Sequence, residues 1–111
     1  MTSDPFSRFA PQSDRGSIEY EEFERTVAAD DCVVVDVREA HEFAAGHIAK
    51  SINMPLSTFS PERLPAGKPI VLICRSGSRS RSALSQAQTI GLKDVKHYAG
   101  GVAGGLRAGA R

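Results

Sequence analysis

The residues best suited to chemistry lie in one short segment, CRSGSRSR, which runs from Cys74 to Arg81. Cys74 ends an apolar run, and three arginines and Gly77 follow it. A glycine lets the chain curl until backbone N–H groups point inward, and such a nest at the start of a helix binds an anion. The thiolate is favoured there, and the same N–H groups could hold a second negative sulfur on Cys74. The segment therefore predicts a reactive cysteine.

The charge and spacing of the arginines limit the reactions that this cysteine segment could perform. Arg75, Arg79 and Arg81 surround the start of a predicted helix, where positive charge opposes the helix dipole and costs stability unless an anion is present. Phosphoryl or arsenate chemistry on a Cys-x5-Arg loop needs an arginine six positions after the cysteine, because its planar fork grips the oxyanion. Ser80 stands at that position. A loop smaller than the Cys-x5-Arg loop suits one sulfur atom better than a tetrahedral oxyanion.

Strands and helices alternate along the chain. The runs over 32–37 and 69–74 have no polar alternation, which is typical of strands buried on both faces of a parallel sheet. An amphipathic helix is expected from Tyr20, with its acidic side chains toward solvent: Glu19, Glu21, Glu22 and Glu24. Further helical segments are expected over 38–45, as one turn after Ser60, and in a helix that ends near Gly91. Further strands are expected over 52–54 and 95–98. This order predicts an α/β domain with a mostly parallel sheet.

The two cysteines are expected at opposite edges of that sheet. Cys32 opens its strand and Cys74 closes its own, which separates them by about 15 Å over five residues. A disulfide needs Cα atoms within about 7 Å, so the two cysteines should not pair. Ligands bind beyond the carboxyl ends of strands in open α/β sheets, which favours Cys74. Cys32 is expected to be buried and unreactive.

The composition limits the class of protein. A chain of 111 residues is long enough for one domain with its own core, and 41% hydrophobic and 24% charged residues are typical of a globular protein. The formal net charge of +1 gives no basic field for a nucleic acid or a membrane surface. No secretory signal or bilayer-spanning run is present, so the cytoplasm is the expected compartment. We expect a mobile extension over 1–16 and one domain over 17–111.

Three separated motifs resemble the rhodanese family of sulfurtransferases. They are VVDVREAHEFAAGHIAKSINMP at 34–55, CRSGSRS at 74–80 and YAGGVAGGL at 98–106. The resemblance implies a rhodanese-like α/β fold, with a central, mostly parallel five-stranded sheet and helices on both faces. The sequence departs from the family pattern at Gly105, where a tryptophan is common. Each glycine in this segment lowers helix propensity by about 1 kcal/mol, so we expect a weaker last helix.

The resemblance also implies roles for the second motif. Cys74 would accept sulfane sulfur and become a persulfide, and the backbone N–H groups of the loop would cradle it. The implied substrate-binding residues are Arg75, Ser76, Gly77, Ser78, Arg79 and Ser80, with Ser80 beginning the next helix. The side chains of Arg75 and Arg79 would bind the sulfonate end of thiosulfate.

For other polar residues of the first motif, a structural role is favoured over a catalytic one. The resemblance places Asp36 and Arg38 near the active face, where they mainly tie loops together. With Glu42 and His47 they would form a salt-bridged scaffold. No second histidine or carboxylate stands at ligand spacing from His47, so no metal site is expected. His41 and His97 receive no role.

The activity that the resemblance implies is that of a thiosulfate sulfurtransferase working by double displacement through Cys74. Cyanide or a thiol would be the acceptor, and no metal or organic cofactor is needed. A protein could also accept the sulfur, whereas no nucleic acid or membrane partner is expected. Two alternatives stay open: a non-catalytic persulfide carrier that docks to a partner around the loop, and, less favoured, a phosphatase or arsenate reductase of the same fold.

Overall fold

Four parallel strands form the sheet within residues 16–100, the part of the chain that this computed structural model describes. In chain order they are β1 (Val33–Asp36), β2 (Ile52–Asn53), β3 (Ile70–Ile73) and β4 (Val95–His97). The order across the sheet is β2-β1-β3-β4, so the strands formed by the apolar runs over 32–37 and 69–74 lie at its centre. β1 and β3 pair from Val33 with Ile70 to Asp36 with Ile73, and their carboxyl ends therefore meet at one edge, here called the carboxyl edge.

Within residues 16–100 the sheet has four strands, one fewer than expected. Beside β4, where a fifth strand would extend the sheet, Ser17 forms a single parallel bridge with His97. The N–H of Ile18 donates to the His97 carbonyl at 3.1 Å, and the N–H of His97 donates to the Gly16 carbonyl at 2.8 Å. These two bonds satisfy the edge of β4 without forming a strand. The expected extension lies outside the described residues except for Gly16, and Gly105 lies outside them entirely.

Helices cover both faces of the sheet, as expected, because successive side chains of a strand point to opposite faces. The helices are α1 (Tyr20–Ala28), α2 (Ala40–Ala45) and α3 (Ser78–Thr89), and two 3₁₀ turns cover Leu56–Thr58 and Pro61–Arg63. Val34 packs with Phe23 of α1, whereas Val35 packs on the other face with Leu84 of α3. The ring of Phe23 also stacks on Tyr98, with centroids 5.1 Å apart.

Two details of the helices differ from the sequence expectation. α2 begins at Ala40 rather than at residue 38, because Glu39 is the N-cap and forms a reciprocal capping box with Glu42. Glu22 of α1 is 6% exposed instead of facing solvent, because the guanidinium of Arg25 reaches back and neutralises its carboxylate. Within residues 16–100, no helix has the length and apolar character needed to span a bilayer.

Candidate active site at the carboxyl edge

The connection from β3 to α3 places Cys74 directly beyond the end of a central strand. Gly77 ends this loop in the left-handed conformation, at φ +104°, and is the N-cap of α3. A Cβ atom at position 77 would overlap the carbonyl oxygen of Ala99, so both conformation and space require glycine. α3 begins at Ser78, not at Ser80 as the resemblance implied. Ser80 therefore lies inside the first turn of the helix and is fully buried.

The sulfur of Cys74 accepts a backbone hydrogen bond and contacts a buried hydroxyl group. The N–H of Gly77 donates to Sγ at 3.0 Å, and the Ser80 hydroxyl lies 3.7 Å from it. Burial raises the pKa of the Cys74 thiol, but the N–H and hydroxyl of Ser80 and the N–H groups of Gly77 and Ser76 outweigh burial and bring that pKa below its ordinary value. Cys74 is 0% exposed.

The arginines of the loop are not equivalent. Arg79 forms a two-pronged ion pair with Glu42 of α2, with N–O distances of 2.7 and 3.1 Å. This pair, with the N–H of Glu39, lowers the pKa of Glu42 to about 2. The structure therefore differs from the expectation that Arg79 awaits a substrate, because the protein itself supplies an anion there. Arg75 is exposed and makes no ion pair within residues 16–100.

Asp36 and Arg38 hold the end of β1 beside the loop. Asp36 is 0% exposed and accepts two bonds from the Arg38 Nε, at 3.0 Å each, and one from its Nη2 at 2.8 Å. The Arg38 Nη2 also donates to the carbonyl of Gly46 at 2.7 Å, which ties the end of α2 to the strand. Because Asp36 pairs with Ile73, the residue before Cys74, this ion pair supports the carboxyl edge. It makes no contact with the sulfur.

His97 of β4 is the residue that the sequence analysis missed. It is 1% exposed, and its Nδ1 lies 2.9 Å from the Ser80 hydroxyl, which in turn contacts Cys74. Strand alternation was the available signal, because Val95 faces the α3 side and residue 97 must face the same side. His47 instead donates from Nδ1 to the Phe43 carbonyl, and its ring stacks on the Phe43 ring. Among residues 16–100, no three His, Cys, Asp or Glu side chains group closely enough to hold a metal ion.

The chain matches a family model and is similar to parts of longer curated proteins. The family model of the rhodanese-like domain matches residues 19–108. The uncharacterized protein slr1261 of Synechocystis sp. is 40% identical over 82 residues, which cover 72% of this chain and 46% of that protein. A tRNA uridine(34) hydroxylase of Rickettsia canadensis is 30% identical over 93 residues, covering 77% of this chain and 37% of that protein. The chain thus spans less than half the length of these relatives.

Solved structures are similar over most of the chain. A rhodanese-related protein from Thermoplasma volcanium is 32% identical with a TM-score of 0.69, covering 78% of this chain and 85% of that one. The human single-domain sulfurtransferase TSTD1 is 26% identical with a TM-score of 0.66, covering 79% and 92%. The strand order, the loop after β3 and the match of the family model over most of the chain lead to one conclusion: this chain belongs to the rhodanese-like domain family.

Proposed function

We propose that the protein is a sulfurtransferase that moves sulfane sulfur from thiosulfate through a persulfide on Cys74 to cyanide or a thiol. The observation that carries this proposal is the position of the Cys74 sulfur at the start of α3, where it accepts from the Gly77 N–H at 3.0 Å and contacts the Ser80 hydroxyl at 3.7 Å. Donors and a helix N-terminus stabilise negative sulfur, whether it is a thiolate or a persulfide. The likeness to the structure of the human single-domain sulfurtransferase supports the same chemistry.

The proposed reaction consists of two displacements on sulfur. The Cys74 thiolate attacks the outer sulfur of thiosulfate, a new S–S bond forms, and sulfite leaves with the electron pair of the old S–S bond. The product is Cys74 persulfide, whose terminal sulfur is negative and accepts the N–H groups of the loop. Cyanide or a thiolate then attacks that terminal sulfur, and the Cys74 thiolate departs as the leaving group. No external oxidant or reductant enters either step.

Arg75 is the residue proposed to bind the sulfonate of thiosulfate. It is an exposed residue of the loop, whereas the guanidinium of Arg79 already pairs with Glu42. A guanidinium suits the sulfonate because its planar N–H groups can donate two parallel bonds to the oxygens. In this proposal Arg79 positions the loop, and Arg75 contributes to the affinity for the donor.

The other chemistries considered fit the site less well. Ser80 stands where an oxyanion-binding loop needs arginine, and its hydroxyl is turned inward toward His97 and Cys74. A tRNA substrate, as the name of one relative indicates for that protein, is not favoured by a net charge of +1. Sulfur transfer needs a free thiol, so we propose a reducing compartment such as the cytoplasm.

The decisive experiment is intact mass spectrometry after incubation with thiosulfate. Wild-type protein is expected to gain the mass of one sulfur atom and to lose it when cyanide is added, with thiocyanate released. The Cys32→Ser variant should behave in the same way, and Cys74→Ser should gain nothing. Absence of the adduct in wild type, or its persistence in Cys74→Ser, contradicts the proposal. Stoichiometric loading followed by loss only to a protein thiol, not to cyanide, would favour a persulfide carrier instead.

A further inference from the structure

A chain of four polar side chains leads from the Cys74 sulfur to the edge of the sheet. The Ser80 hydroxyl lies 3.7 Å from Sγ and 2.9 Å from Nδ1 of His97, and the Ser17 hydroxyl lies 3.4 Å from Nε2 of the same ring. These residues come from the β3–α3 loop, α3, β4 and the segment before α1. All four are less than 9% exposed, so each hydrogen bond is made in a region of low dielectric.

Counting protons shows why the imidazole matters. The Ser80 hydroxyl donates its single proton to the Gly77 carbonyl at 3.1 Å, and the Cys74 thiol donates to the Ser80 oxygen at 3.7 Å. Once the thiol has ionised, the sulfur becomes an acceptor and competes for the Ser80 proton with the Gly77 carbonyl and the His97 ring nitrogen. If Nδ1 were unprotonated, it would compete with the sulfur for that proton. If Nδ1 carries hydrogen, it donates to the Ser80 oxygen instead, and the hydroxyl proton is left for the negative sulfur, a stronger acceptor than a neutral carbonyl.

We propose that His97 is a positioning residue for Cys74: its Nδ1–H donates to the Ser80 hydroxyl, which thereby directs its own proton to the Cys74 sulfur. In a neutral ring Nε2 is then the acceptor nitrogen, and it faces the Ser17 hydroxyl at 3.4 Å. His97 touches neither the sulfur nor a substrate, and its effect passes through Ser80. The value of this arrangement for sulfur transfer rests on the proposed function, whereas the effect on the thiolate does not.

The test measures the pH dependence of Cys74 alkylation by iodoacetamide, in a Cys32→Ser background so that one cysteine reports. Replacement His97→Leu removes the donor and should raise the midpoint pH and slow alkylation at pH 7 about 5-fold, the typical effect of one net hydrogen bond. His97→Asn places an amide N–H close to the position of Nδ1 and should recover most of the rate. A residue that merely fills space would show no such recovery.

A double-mutant cycle separates this relay from a packing effect. Ser80→Ala should slow alkylation by itself, and adding His97→Leu to Ser80→Ala should change the midpoint no further, because the connecting hydroxyl is gone. An equal loss from His97→Leu with and without Ser80 would overturn the proposal. Failure of His97→Asn to exceed His97→Leu in rate would overturn it as well.

A measurement on the unaltered protein covers the case in which His97→Leu does not fold. Imidazole ¹⁵N shifts, with the His97 signals assigned by their loss in His97→Asn, report which ring nitrogen carries hydrogen. The proposal requires a protonated Nδ1, and a neutral ring protonated only at Nε2 overturns it. None of these assays uses a sulfur donor. Failure of thiosulfate to load Cys74 would therefore defeat the proposed function alone.

Discussion

Cys32 and Cys74 stand at opposite edges of the same sheet and are both free and buried, yet their surroundings differ. Cys32 precedes β1 at the amino edge, where burial, reinforced by the carboxylates of Asp30 and Asp31 and partly offset by Lys68, raises its pKa to about 11. Cys74 follows β3 at the carboxyl edge, where N–H and hydroxyl donors outweigh burial. Burial alone therefore does not decide whether a cysteine is reactive. The start of a helix does, because it offers unpaired N–H groups.

The largest expected contrast is in alkylation of the two thiols. A pKa of about 11 leaves roughly one Cys32 in ten thousand as thiolate at pH 7, whereas the pKa of Cys74 lies below its ordinary value, so Cys74 should react with iodoacetamide more than about 100-fold faster. The Cys32→Ser variant reports Cys74, and Cys74→Ser reports Cys32. In denaturant the two variants should react at similar rates, which controls for the reagent. Similar alkylation rates of the two cysteines in the folded protein would contradict the expected difference in reactivity between the two edges.

Removing one carboxylate from each edge should affect stability unequally. Asp36→Asn leaves the buried Arg38 cation without its partner and should lower the free energy of unfolding by about 3 kcal/mol in urea. Asp30→Asn is the matched change at the amino edge, where the pair with Lys68 is exposed, and should cost less than about 0.5 kcal/mol. Equal losses would show that the buried pair does not hold the carboxyl edge.

The central strands and the position of Cys74 were predictable because they depend on short-range patterns. Two β-branched runs fixed β1 and β3, parallel pairing then put the cysteines at opposite edges, and the glycine after Cys74 indicated the loop. The mobile extension, the domain boundary and the role of each loop residue in binding stay predictions.

The partners of charged and polar side chains were not predictable in the same way. The pairing of Arg79 with Glu42 joins residues 37 positions apart, and the sequence gives no distance between them. The contact between Ser80 and His97 was not predictable for a similar reason. Ser80 lies one turn before Leu84 on α3 and His97 lies two residues after Val95 on β4, and only the packing of α3 on β4 brings them together. The start of α3 at Ser78 depended on the backbone angle of Gly77, which composition does not specify.

Two glycines with nearly identical φ angles test the loop itself. Gly77→Ala should destabilise the fold by at least about 2 kcal/mol and slow Cys74 alkylation more than 10-fold, because a positive φ adds to overlap with the Ala99 carbonyl. Gly67, at φ +103°, has open space where a Cβ atom would stand, with no atom within 4 Å, so Gly67→Ala should cost only about 1 kcal/mol and leave alkylation unchanged. Urea unfolding measures both. Equal losses from the two changes would mean that the contact with Ala99 is unimportant.

The smallest expected effect concerns the anion that the protein supplies to Arg79. Folding lowers the pKa of Glu42 from an ordinary 4.5 to about 2, so its ion pair stabilises the fold fully above about pH 5.5 and loses that contribution as the pH falls from 4.5 toward 2. Glu42→Gln should therefore cost about 1 kcal/mol at pH 7 and almost nothing near pH 2, as measured by urea unfolding at each pH. Glu21→Gln removes an exposed glutamate and should cost little at either pH. A loss of unfolding free energy in Glu42→Gln that stays constant from pH 7 to pH 2 would show that the side chain acts through packing. The positive charge at the N-terminus of α3 would then be left for a bound substrate to balance.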